Sequence, residues 1–119
     1  MKTIIFADDD PTVLDVVTLI LEDDYRVVVH PNGDKLLAND FEVPDLFLLD
    51  KQLSGTDGLD ICRFLKNQEP TKNIPVIMIS ATPNLSEQAK AAGADAFIEK
   101  PFPIRHLREM IANYTNRGN

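Results

Sequence analysis

The sequence predicts an α/β domain, a doubly wound sandwich with helices on both faces of a five-stranded parallel sheet. Three observations predict it. Five short apolar runs recur at fairly even spacing: Ile4-Ile5-Phe6-Ala7, Val27-Val28-Val29, Leu46-Phe47-Leu48-Leu49, Val76-Ile77-Met78-Ile79 and Ala96-Phe97-Ile98. None of them alternates apolar with polar, and an unbroken apolar run reads as a strand covered on both faces, as in parallel sheets. Amphipathic stretches at helical spacing lie between the runs, so strand and helix alternate strictly.

The elements follow in chain order. After the first strand, Asp10 reads as a helix N-cap and Pro11 as the first helical residue. Val13, Leu14, Val17 and Ile20 then share one face. A short helix is expected from about Asp34 to Ala38. The third helix runs from about Asp57 to Asn67 with Leu59, Cys62 and Leu65 inward. The fourth, from about Ser86 to Ala92, places Leu85, Ala89 and Ala92 together and stops before Gly93. The fifth runs from about Ile104 to Tyr114, with Ile104, Leu107 and Ile111 inward. The final stretch, Asn113 to Asn119, reads as a fraying helix end.

Composition bounds the function. At 119 residues the chain is the size of one domain, expected to span 1–119, with little room for a second. A formal net charge of −7 argues against direct nucleic-acid binding and against an anionic membrane surface. Hydrophobic residues at 44% and charged residues at 26% suit a globular domain and exclude a disordered one. No apolar stretch approaches the ~20 residues of a membrane span. Cys62 is the one cysteine, and with no secretory signal at the N-terminus the expected compartment is the reducing cytoplasm.

The residues that follow the strands carry the chemistry. The first strand runs into Asp8-Asp9, the third into Asp50, the fourth into Ser80 and the fifth into Lys100-Pro101. Strands of a parallel sheet point one way, so these ends share the rim where open α/β sheets bind ligands. Three carboxylates crowded there repel one another unless a cation intervenes. A hard ion such as Mg²⁺ suits oxygen ligands and leaves coordination positions for phosphate oxygens. Lys100, by charge, and Ser80, by hydrogen bond, then suit those oxygens.

Each residue taken singly has an ordinary reading. Asp10 is a helix cap, Asp8 and Asp9 a solvated acidic turn, Asp50 and Ser80 loop starts, and Lys100 a surface charge. His30 and His106 have no partners at ligand spacing and read as structural or surface residues. Cys62 lies on the apolar face of its helix and reads as core. Four strand ends converging on one rim make the joint functional reading stronger than the separate ones.

With these residues in place, the sequence resembles the receiver domain of two-component response regulators. The matching segments are Ile4 to Pro11, Pro44 to Asp50, Gly55 to Leu59, Pro75 to Ala81 and Gly93 to Phe102. The resemblance implies a flavodoxin-like (βα)5 fold with strand order 2-1-3-4-5. It implies that Asp50 accepts a phosphoryl group from a phosphohistidine on a sensor histidine kinase or histidine phosphotransfer protein. It makes Asp8, Asp9, Asp50 and the backbone carbonyl of Gln52 the Mg²⁺ ligands, Asp9 directly and Asp8 through water. Ser80 and Lys100 would contact the phosphoryl oxygens, the latter through a cis Lys100-Pro101 bond. Ser80 and Phe97 would form the switch, and Gln52 and Thr82 would tune dephosphorylation. Output would pass through the fourth helix, fifth strand and fifth helix, carrying Glu87, Lys90, Glu99, Arg105 and Arg108, to a downstream protein or a second copy of the chain. The sequence departs from the family in having Ser54 where proline is usual, serine rather than threonine at 80, and phenylalanine rather than tyrosine at 97.

Two other readings stand beside this one. Asp8 to Val13 fits the first motif of haloacid-dehalogenase-like phosphatases, with Asp8 as nucleophile and Asp10 as acid/base. That reading leaves Asp50 idle, and only Glu109 is acidic beyond Lys100. A receiver-like module that binds partners without phosphorylation is the other. The chain itself is either a stand-alone receiver or a piece of a longer regulator.

Overall fold

The computed structural model describes residues 1–116; positions 117–119 of the expected C-terminal end lie outside the described residues. The strands are β1 (Lys2–Ala7), β2 (Tyr25–His30), β3 (Leu46–Asp50), β4 (Gln52–Leu53), β5 (Thr56–Asp57), β6 (Val76–Ser80) and β7 (Ala96–Glu99). The helices are α1 (Pro11–Leu21), α2 (Asp34–Leu37), α3 (Gly58–Lys66), α4 (Ser86–Ala91) and α5 (Ile104–Thr115). Five strands form one parallel sheet in the order β2-β1-β3-β6-β7, while β4 and β5 pair separately. With the small hairpin left out, the sheet order is the expected 2-1-3-4-5.

The apolar runs fold as strands because both faces of the sheet are covered. On one side Ile5, Phe47, Leu49 and Met78 pack with Leu36 of α2, Ile61 and Leu65 of α3 and Ala89 of α4. On the other, Ile4, Phe6, Leu48, Ile77 and Ile79 pack with Leu14 and Val17 of α1 and Leu107 and Ile111 of α5. Alternate residues of each strand thus serve opposite layers. Every residue of β3 and β6 is buried. Fully burying an aliphatic side chain contributes about 1.5–3 kcal/mol, and these two fully buried strands end in Asp50 and Ser80.

Local chemistry sets the helix starts. Asp10 Oδ1 accepts from the Thr12 amide at 2.9 Å, and Pro11 opens α1 where its missing N–H costs nothing. Asp57 caps α3 by accepting from the Leu59 amide at 2.9 Å.

Two expectations are corrected. The second and fifth runs are not covered on both faces: β2 and β7 are the two sheet edges, Val29 is 41% exposed, and Ala96 and Phe97 are only half-buried. Ile104 is not inward; as the first residue of α5 it stands 49% exposed at the rim, and the inward face is built from Leu107, Ile111 and Thr115. At the other end α5 runs through Thr115, one residue beyond the expected Tyr114, and the buried Thr115 hydroxyl donates to the Ile111 carbonyl at 2.8 Å.

Candidate functional site

The C-terminal ends of β1, β3, β6 and β7 bring Asp8, Asp9, Asp50, Ser80 and Lys100 to one rim. Asp50 ends β3 and Asp8 follows the adjacent β1, so neighbouring strands hold both carboxylates. Lys100 Nζ bridges them, 2.5 Å from Asp50 Oδ2 and 3.4 Å from Asp8 Oδ2. Both carboxylates are buried, Asp8 at 1% and Asp50 at 3% exposure. The other oxygens are held by backbone amides: Asp50 Oδ1 accepts from Gln52 at 2.8 Å and Asp8 Oδ1 from Asp10 at 2.9 Å. The Asp8 amide donates in turn to the His30 carbonyl at 3.1 Å, which ties the acidic turn to β2.

Electrostatics follow from this crowding. Burial, reinforced by the hydrogen bond and charge of Asp50, pushes the Asp8 carboxyl up to about 6, although the Asp10 amide and Lys100 pull the other way. Burial alone would lower the Lys100 pKa. The hydrogen bonds and charges of Asp50 and Asp8 outweigh it and raise the value above the ordinary lysine range, so the ammonium stays charged.

The remaining expected residues lie nearby with different partners. Asp9 is exposed and accepts from Ser54 Oγ at 3.4 Å. Gln52 lies in β4, which pairs with β5 across Gly55, whose φ of +78° is a conformation that favours glycine. Ser80 is fully buried, and its Oγ accepts from the Thr82 amide at 2.9 Å. Phe97 is half-buried beside Ala89 and Lys90 of α4, lining a cavity of about 300 Å³. The Lys100-Pro101 peptide is cis, and the Lys100 amide donates to the Ser80 carbonyl at 2.9 Å. Of the residues expected on the α4–β7–α5 face, Glu87, Lys90, Glu99 and Arg105 are exposed. Arg108 is a correction: its Nη2 donates to the Ile20 carbonyl at 3.2 Å, so it faces α1 rather than α4.

The donor set fits a hard divalent cation. It is all oxygen and buried in part, and burial together with the neighbouring Asp50 already raises the pKa of Asp8. Among the described residues, however, no three acidic or histidine side chains stand together as a ready cage. The Lys100 ammonium lies against Asp8 and Asp50, and Asp9 is engaged by Ser54.

Sequence reasoning missed several contributors. A Cβ on Gly58 would overlap the backbone carbonyl of Asp50, so α3 starts hard against the strand that ends in the acidic site. Lys51 Nζ lies 3.1 Å from Asp57 Oδ2. A groove of about 520 Å³ adjoins Lys100, walled by Val13, Val16 and Ile20 of α1 together with Phe102 and Ile104. Only Gly58 left a signal, in the run Asp57-Gly58 after a strand and loop.

A doubly wound sheet whose C-terminal rim joins buried aspartates to a lysine at a cis-proline defines a receiver-type signalling domain. The response regulator receiver domain family matches residues 4–112, and the chain belongs to that family. It is 34% identical over 111 residues to the DNA-binding dual master transcriptional regulator RpaA of Synechocystis, covering 90% of this chain and 46% of that protein. The receiver domain of a signal transduction histidine kinase from Syntrophus aciditrophicus superposes with TM-score 0.89 at 28% identity, covering 100% of this chain and 96% of the other. The response regulator TrrA of Thermotoga maritima, solved in complex with Mg²⁺-BeF, gives TM-score 0.85 at 26% identity, covering 96% and 99%. The chain spans about half the length of the curated relatives it matches. Among the described residues no helix is long and apolar enough to cross a membrane.

Proposed function

We propose that residues 1–119 form a single receiver unit in which Asp50 accepts a phosphoryl group from a phosphohistidine on a sensor histidine kinase or phosphotransfer protein. The observation that carries this reading is the state of Asp50: buried at the end of a central strand, with one oxygen fixed by the Gln52 amide and the other paired with Lys100. A nucleophile held in this way needs no reorientation at the moment of reaction. In the transfer the donor N–P bond breaks, an Asp50 O–P bond forms and the imidazole leaves. Lys100, kept cationic by its neighbours, exchanges its contact with the carboxylate for contacts with the phosphoryl oxygens.

Asp8, Asp9, Asp50 and the Gln52 carbonyl would hold Mg²⁺, which supplies charge neutralisation for the phosphoryl oxygens. The aspartyl phosphate brings new acceptor oxygens. Ser80 releases the Thr82 amide to donate to one of them, and Phe97 moves into the space it leaves. The α4–β7–α5 face then differs between the two states and is read by a downstream protein or a second copy of the chain. Gln52 and Thr82 flank the reacting group and set how readily water reaches it. The domain acts only on its own Asp50, without direct nucleic-acid or membrane contact, in the cytoplasm. The groove beside Lys100 is the apolar surface against which the donor protein seats, because it is walled in part by Lys100, whose ammonium pairs with Asp50. Beryllofluoride with Mg²⁺ tests the reading: NMR shift changes centred on Asp50, Ser80 and Phe97 are expected. An adduct centred on Asp8 would instead support the phosphatase-like alternative.

A further inference from the structure

We propose that Lys51 is a positioning residue whose ion pair with Asp57 clamps the Gln52–Asp57 hairpin, so that the Gln52 carbonyl stays directed to the cation site. The proposal rests on the reading of Asp8, Asp9, Asp50 and Gln52 as Mg²⁺ ligands. Lys51 stands between two of them. Its amide donates to the Ile79 carbonyl of β6 at 2.9 Å, and its carbonyl accepts from Gly58 at 2.8 Å. Its ammonium crosses the hairpin to Asp57 Oδ2 at 3.1 Å, with the lysine side chain only 19% exposed. Asp57 uses both oxygens, Oδ1 capping α3 through the Leu59 amide and Oδ2 holding Lys51. The ion pair therefore fastens the segment after the phosphoacceptor to the start of α3.

The hairpin needs such a tie. Each of its strands has two residues, its turn is Gly55 at φ +78°, and no proline stands between positions 51 and 57. A two-residue ladder holds little by itself. Without the clamp, the hairpin must be ordered again each time a cation binds, and that entropy weakens affinity.

A double-mutant cycle separates positioning from simple charge. Calorimetry with Mg²⁺ alone is run on the whole chain and on Lys51→Met, Asp57→Asn and the double variant, with urea unfolding alongside each. Asn preserves the helix cap. Positioning predicts that both single variants weaken Mg²⁺ binding by about fivefold and that the double variant is no weaker than either. Lys51→Arg should restore affinity to within about twofold. A pure charge effect predicts the opposite sign for Lys51→Met, because removing a cation beside a cation site tightens binding. Unchanged or tighter binding by folded Lys51→Met overturns the clamp while leaving the site intact. Absence of saturable Mg²⁺ binding by the unsubstituted protein overturns the site reading and the clamp together.

Discussion

Replacing Asp8 with asparagine should stabilise the metal-free protein, although it removes a group assigned to the site. Asp8 is 1% exposed, and in the folded chain its carboxyl titrates at about 6 rather than the ordinary 3.8, chiefly because of burial and then because of Asp50. The folded state therefore binds this proton more tightly than the unfolded chain. The stability it contributes is full below about pH 4 and is lost as pH rises through about 6. Roughly two pKa units at about 1.36 kcal/mol each give a loss of at most about 3 kcal/mol by pH 7.5. Asparagine resembles the protonated carboxyl, because it can accept from the Asp10 amide and donate toward Asp50. Urea unfolding with EDTA at pH 7.5 should show Asp8→Asn more stable by up to about 3 kcal/mol, equivalent to about 10 °C in Tm for a domain of this size. The gap should close toward pH 4, and Mg²⁺ should stabilise the parent protein while leaving the variant nearly unchanged. A variant less stable than the parent, or a gap independent of pH, would refute the reasoning.

Three further outcomes are expected. Gly58→Ala places a methyl against the Asp50 carbonyl; it should cost about 1–3 kcal/mol in urea unfolding and slow labelling by acetyl phosphate, whereas normal labelling would show that the close approach is unimportant. Val16→Asp or Ile104→Asp, at exposed positions on the groove beside Lys100, should slow transfer from a phosphohistidine protein about tenfold or more while leaving acetyl phosphate labelling unchanged; equal loss with both donors would count against docking there. Ser80→Ala should still accept phosphate, yet the Phe97 ring should keep its unmodified NMR signature, and a normal ring response would remove Ser80 from the switch.

Much of the fold was legible because burial writes itself into continuous apolar runs. β1, β3 and β6 are covered on both faces, so their runs end where the core ends, and the next polar residue marks the rim. That is why Asp8, Asp50 and Ser80 could be placed from sequence. The same logic failed at β2, because an edge position is set by sheet order and not by the strand's own residues; Val29 is apolar and still exposed. It failed at Ile104, since helical spacing cannot say that the first turn of α5 overhangs the rim. At the site, the sequence names residues without their partners. It could not tell that Ser80 turns to the Thr82 amide, that Asp9 meets Ser54, or that Lys51 reaches Asp57 across a hairpin. Such contacts depend on side-chain direction across loops, where no periodicity constrains them. Arg108 shows the same limit: helical position puts it on α5, and only the three-dimensional packing sends it to α1.

The central claim is that Asp50 is the acceptor. It is tested most directly by incubating the protein with acetyl phosphate and Mg²⁺, measuring intact mass, and mapping the adduct by borohydride reduction and peptide analysis. The account predicts a gain of one phosphoryl group on Asp50, dependent on Mg²⁺ and absent from Asp50→Asn. A phosphoryl group found on Asp8, or no gain in the parent protein, would contradict it.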